Sequence, residues 1–145
     1  MCGGLLFSGQ ICMSTERVIV QRLVLEQLVA TIKWHVDTLT VGDPEYAHLS
    51  SLFTDHSADN IIAMVREAKE AREEVLLGDM EKAEPALLKP HILTGVKTET
   101  RLWHREAFGS VPVVAVVDTI DDAVEFANAT DYSLAATIWT MRSLR

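Results

Sequence analysis

Val111-Pro112-Val113-Val114-Ala115-Val116-Val117 is a nearly unbroken apolar run rich in β-branched residues, and it constrains the fold more than any other stretch of the chain. A strand with one face in water alternates apolar and polar residues, whereas a strand with no polar position has to be covered on both faces. Helices packed on either side of a parallel sheet supply that cover. The expected fold class is therefore α/β, a mostly parallel sheet flanked by helices, rather than an antiparallel sandwich. At 145 residues and 48% hydrophobic content the chain is long enough for one domain with a real core.

The other elements follow from spacing. Val18 to Gln21 reads as a short buried strand, and Leu25, Leu28, Val29 and Ile32 recur at helical spacing in a helix from Leu23 to Trp34. Val41-Gly42-Asp43-Pro44 breaks the chain. A second helix is expected from Ser57 to Arg72, with Ser57 as its cap and Ile61, Ile62, Met64, Val65 and Ala68 as its buried stripe. Its Arg66–Glu70 and Lys69–Glu73 pairs read as a solvated face. Glu74 to Leu77 fits a strand, and so does Ala86 to Leu93, interrupted near Pro90, which has no N–H for a ladder. Thr119 with Asp122 reads as a capping box opening a helix that turns Ala123, Val124, Phe126 and Ala127 inward. A last strand is expected at Ala135 to Thr140.

Charge and cysteine usage narrow the partners. Asp and Glu outnumber Lys and Arg by 21 to 13, a formal net charge of −8, so no basic face is available for nucleic acid. Met1 to Met13 is apolar but carries no basic residue and is too short to cross a bilayer core of about 30 Å, so neither secretion nor membrane anchoring is indicated. The two cysteines, Cys2 and Cys12, form neither a disulfide framework nor a CxxC pair, which points to a reducing, cytoplasmic setting. The 5 histidines show no metal spacing, and the 3 tryptophans read as core or rim residues; no metal is implied.

One thiol stands in a distinctive setting. Cys12 lies in Phe7-Ser8-Gly9-Gln10-Ile11-Cys12-Met13-Ser14-Thr15-Glu16-Arg17, behind a glycine that allows close backbone approach. A cysteine thiolate attacks carbonyl carbon readily, and the cysteine's own amide is a natural donor to the oxyanion that forms. Far downstream, Glu106-Ala107-Phe108-Gly109 places a carboxylate and an aromatic ring two residues apart, on the same side if the segment is extended. A carboxylate accepts from ribose hydroxyls, and a ring restricts where a nicotinamide sits.

These two segments together resemble the aldehyde dehydrogenase superfamily. Phe7, Gly9, Gln10, Cys12 and Arg17 fit its cysteine signature, and the longer Gly-Gln-Ile-Cys-Met-Ser-Thr-Glu-Arg is most similar to the branch acting on salicylaldehyde, vanillin and benzaldehyde. The resemblance implies that Cys12 is the nucleophile, forming first a thiohemiacetal and then a thioester that water releases as an acid. It implies that Glu106 and Phe108 face the nicotinamide ribose of NAD or NADP, and that the complete family enzyme is a homo-oligomer taking a small aldehyde. Ser110 stands where the family's Glu-x-Phe-Gly-Pro motif has proline, which removes a φ constraint from that turn. Asn128, Tyr132 and Leu134 echo a downstream family pattern and read as packing and turn residues.

The resemblance reaches only the middle of the family's catalytic domain. Residues 1–145 are thus expected to be a partial, cysteine-bearing catalytic domain, truncated at both ends and without the dinucleotide-binding domain. The sequence holds no glycine-rich phosphate fingerprint and no Glu-Leu-Gly-Gly segment carrying the family's general base. Loss of a general base alone costs on the order of 10²–10⁴ in rate, so the stretch is expected neither to bind the nucleotide nor to turn over by itself. Two other readings stay open: a non-catalytic fragment that associates with intact subunits through an exposed sheet edge, and residual thiol chemistry such as ester cleavage.

Overall fold

The computed structural model describes residues 2–43 and 45–140. In chain order it runs α1 (Cys2–Leu5), a 3-10 segment (Leu6–Gly9), β1 (Arg17–Gln21), a short 3-10 turn (Arg22–Val24), α2 (Leu25–Asp37), α3 (Asp55–Glu70), β2 (Glu74–Leu77), β3 (Lys82–Glu84), β4 (Leu87–Leu88), β5 (Ile92–Thr94), α4 (Arg101–His104), β6 (Val113–Val117) and α5 (Ile120–Asn128). The main sheet has the order β1-β6-β5-β2, parallel except for the edge strand β2, and β3 with β4 forms a separate hairpin.

The apolar run does what its composition demands. Successive side chains of a strand point to opposite faces, and β6 sends Val113 and Ala115 into one core cluster and Val114 and Val116 into the other. β1 divides in the same way, with Ile19 on one side and Val18 and Val20 on the other. α3 covers the first face with Ala58, Ile61, Ile62, Met64, Val65 and Ala68, and α2 covers the second with Ile32 and Val36. The expected strand at Ala86 to Leu93 is indeed broken near Pro90: Leu87–Leu88 joins the hairpin and Ile92–Thr94 enters the main sheet.

Several expectations are corrected. Thr54, not Ser57, caps α3: it is extended at φ −143° and its Oγ1 accepts from the Ser57 N–H at 3.0 Å, which puts Ser57 inside the first turn. Glu73 does not lie on a solvated face; it is 5% exposed and accepts from the Lys97 N–H at 3.0 Å. The charges of α3 reach across to other elements, Glu67 to Arg101 at 2.9 Å and Asp59 to Lys82 at 2.7 Å.

The capping box of α5 forms as expected, Thr119 Oγ1 accepting from Asp122 N and the Asp122 carboxylate from Thr119 N, each at 3.0 Å. Its inward face is narrower, however, since Phe126 packs against the core and Ala123 is half-buried while Val124 and Ala127 are exposed. One helical stripe meets the sheet, and residues rotated by about 100° from it have nothing to cover them among the described residues. Ala135 to Thr140 forms no strand and is exposed, as is Leu134; a strand exists only where a neighbour completes its ladder. Of the tryptophans, Trp103 is fully buried, donates to Ala129 O at 2.6 Å and stacks edge-on with Phe126, whereas Trp34 and Trp139 are exposed.

Candidate active site

β1 and β6 are adjacent and parallel, with Arg17 opposite Val113, so the loops that lead into them arrive side by side. One loop carries Cys12 and the other carries Glu106 and Phe108. The meeting point lies at the amino ends of these strands, whereas open α/β sheets more commonly bind ligands at the carboxyl ends.

The approach of the loops is backbone to backbone. Gly9 has φ +78°, and a Cβ there would run into the carbonyl of Gly109 and come within 2.9 Å of Ser110 N. Only glycine accommodates both the left-handed backbone and the contact. Phe7 and Ser8, at φ 50° and 57°, are left-handed as well, so three successive residues curl the chain ahead of the cysteine. This costly conformation is held at its side chains. Ser8 Oγ donates to Ser50 O at 2.8 Å, and Gln10 Oε1 accepts from Phe53 N at 2.8 Å, tying the loop to the segment before α3. Arg17 donates to Trp103 O at 2.8 Å and lies over the Trp103 ring at 6.0 Å. The signature residues Gly9, Gln10 and Arg17 thus act as fasteners around the thiol.

Cys12 itself is exposed and free, and among the described residues its N–H donates to no protein acceptor. Thiol and amide are both open to an incoming group. Phe108 sits at φ +50° and is 42% exposed, and Glu106, two residues before it, is half-buried. A carboxylate accepts from hydroxyl groups and a ring face bounds a flat group, so the chemistry of this loop is compatible with the ribose and nicotinamide end of a dinucleotide.

Glu16 is a residue of the site that carries no signal of its own in the sequence. Its carboxylate accepts from the N–H groups of Ala107 and Phe108 at 3.3 and 3.4 Å, linking the cysteine loop to the downstream loop. Burial pushes its pKa up, opposed by those two amides and by Arg17. No local pattern announces this contact, because it depends on strand register. A separate open cleft of about 670 Å³ runs along α3, lined by Asp59, Ile62, Arg66, Met80 and Lys82 among others, and includes none of Cys12, Glu106 and Phe108. Among the described residues no group of three or more His, Cys, Asp and Glu side chains is placed to hold a metal, and no helix is long and apolar enough to cross a membrane.

Residues 1–145 match the aldehyde dehydrogenase family along their whole length. The chain belongs to that family. It is 33% identical over 140 residues to a benzaldehyde dehydrogenase [NAD(+)] of Pseudomonas putida, covering 95% of this chain and 28% of the relative. It is 34% identical over 134 residues to a vanillin dehydrogenase of Pseudomonas fluorescens, covering 91% and 27%. Among solved structures, an NAD-dependent aldehyde dehydrogenase of Sinorhizobium meliloti superposes with TM-score 0.91 at 28% identity, covering 97% of this chain and 29% of that one. An NAD-dependent benzaldehyde dehydrogenase of Corynebacterium glutamicum does so with TM-score 0.87 at 29% identity, covering 97% and 30%. The chain therefore spans little more than a quarter of the length of these family members, and the α/β fold with its mostly parallel sheet is theirs.

Proposed function

We propose that these 145 residues are the cysteine-bearing part of an aldehyde dehydrogenase catalytic domain, with Cys12 as nucleophile and Glu106 and Phe108 turned toward the nicotinamide ribose of NAD or NADP. The observation that carries this reading is the junction of the two loops: the exposed thiol and the half-buried carboxylate lie on segments whose backbones touch at Gly9 and Gly109. In the first step the Cys12 thiolate adds to the aldehyde carbon, and the oxygen that takes up the negative charge is met by the unpartnered Cys12 N–H. Glu106 would accept from the ribose hydroxyls, and Phe108 would bound the ring. The nucleotide, when bound, supplies the hydride acceptor that turns the adduct into a thioester, which water then releases as the acid. The names of the benzaldehyde and vanillin relatives favour an aromatic aldehyde. The full cycle belongs to a longer chain that also holds the dinucleotide, and this stretch alone does not turn over.

Competition for the thiol tests the proposal. Benzaldehyde in the millimolar range is expected to slow iodoacetamide labelling of Cys12 in a concentration-dependent way while leaving Cys2 unaffected. Labelling of Cys12 that ignores the aldehyde would remove the nucleophile from the account.

A second reading, association with complete subunits, is favoured by one observation. Among the described residues β1 pairs only with β6, so its outer edge is open, and Leu23 beside it is 97% exposed. Mixing the chain with an intact homologue should then raise the measured mass or lower the homologue's activity; no change in either would dismiss this reading.

A further inference from the structure

Glu16 stands between the two loops, and neither the thiol addition nor the ribose contact uses it. Its own carbonyl accepts from Val113 N at 2.9 Å, which anchors the residue at the start of the β1–β6 pairing. Its carboxylate then meets the downstream loop, Oε2 taking the N–H of Ala107 and Oε1 that of Phe108. Those amides belong to the consecutive peptide units joining Glu106 to Ala107 and Ala107 to Phe108. One carboxylate therefore fixes both planes on which the Glu106 and Phe108 side chains depend. Phe108 needs such a restraint, since at φ +50° its Cβ crowds the following carbonyl oxygen and the left-handed conformation is disfavoured. At 3.3 and 3.4 Å the two bonds are longer than the roughly 2.7–2.9 Å of strong charge-assisted ones, but they act together on one short segment, and Gly109, immediately after Phe108, is pressed against Gly9 from the other side. The charged groups facing Glu16 are Arg17, which favours its ionised form, and Glu106, which opposes it.

We propose that Glu16 is a positioning residue of the family reaction in this chain: its ionised carboxylate holds Phe108 left-handed and orients Glu106 and Phe108 before any nucleotide arrives. This deepens the functional reading above and rests on it for the purpose of the orientation. The restraint itself is a property of the chain, and its test uses neither aldehyde nor nucleotide, so either claim can fail while the other stands.

The test is an NMR pH titration of the full chain. The Ala107 and Phe108 amide signals should move with the midpoint of the Glu16 carboxyl carbon, which lies above the ordinary glutamate range, while the Ile19 and Ala115 amides in the β1–β6 ladder stay still. Glu16→Gln, which keeps one acceptor oxygen and sets an NH2 donor where the other stood, should lose the component of the shift at that midpoint and move the Phe108 HN–Hα coupling, which reports its φ, part of the way toward the extended value. Glu16→Ala should shift that coupling toward the extended value. The proposal is overturned if the Ala107 and Phe108 amides ignore the Glu16 midpoint, or if the coupling is unchanged in Glu16→Ala while the ladder amides remain native. Should Glu16→Ala fail to fold, the wild-type and Glu16→Gln titrations decide by themselves.

Discussion

Gly9 is where the two halves of the candidate site press together, and its hydrogen side chain is what permits it. A methyl group there would have to enter the space of the Gly109 carbonyl while the residue stays at φ +78°. The left-handed term alone is about 1–2 kcal/mol for a residue with a Cβ, and overpacking against backbone adds about 1–3 kcal/mol. Gly9→Ala is therefore expected to lower stability by more than about 2 kcal/mol in urea unfolding; a loss below about 0.5 kcal/mol would mean that the loops do not touch as described. At this scale the sequence was half readable. That Gly9 lets the backbone come close was legible from residue type, and the exposure of Cys12 agrees with a thiol presented at a turn. What Gly9 approaches, and what Glu16 holds, depend on a register between strands far apart in the chain, which no local pattern encodes.

At the scale of elements, β6 and α3 were legible because burial on two faces and on one stripe each leave a periodicity that nothing else produces. The errors fall where the competing choices are local and nearly equal in energy. Thr54 and Ser57 are both good caps three residues apart, and the extended backbone at Thr54 decides between them. The width of the buried face of α5 and the absence of a ladder at Ala135 to Thr140 depend on neighbours rather than on the segments themselves. The link between β4 and β5 hides a further device. His91 is 0% exposed, its ring packs against Gly78, its Nε2 accepts from Met80 N at 2.9 Å, and its Nδ1–H donates to Lys89 O at 2.8 Å. Both ring nitrogens are thus committed in the neutral form, and burial holds the pKa below the ordinary histidine value. The unfolded chain then binds the proton more readily than the folded one. This contribution to stability is complete above about pH 6.5 and is lost as pH falls through the depressed value, with a limiting slope of about 1.4 kcal/mol per pH unit. Urea unfolding across that window should show the slope in the wild type and less of it in His91→Gln, whatever the variant's overall stability. Equal slopes would place the proton elsewhere.

For the whole molecule, two apolar layers on opposite faces of one sheet give a core that the family's longer members share, and the superposition covers 97% of this chain with the Sinorhizobium meliloti enzyme. Among the described residues the proposed chemistry lies at the amino ends of β1 and β6, where the loop bearing the exposed thiol meets the loop bearing Glu106 and Phe108. The central claim is that this thiol captures aldehyde carbon. Carbon NMR of benzaldehyde labelled at its carbonyl, mixed with the protein, measures that capture directly. The account predicts a hemithioacetal carbon signal that persists in Cys2→Ser and vanishes in Cys12→Ser. An adduct signal unchanged by Cys12→Ser, or none in the wild type at saturating aldehyde, would contradict it.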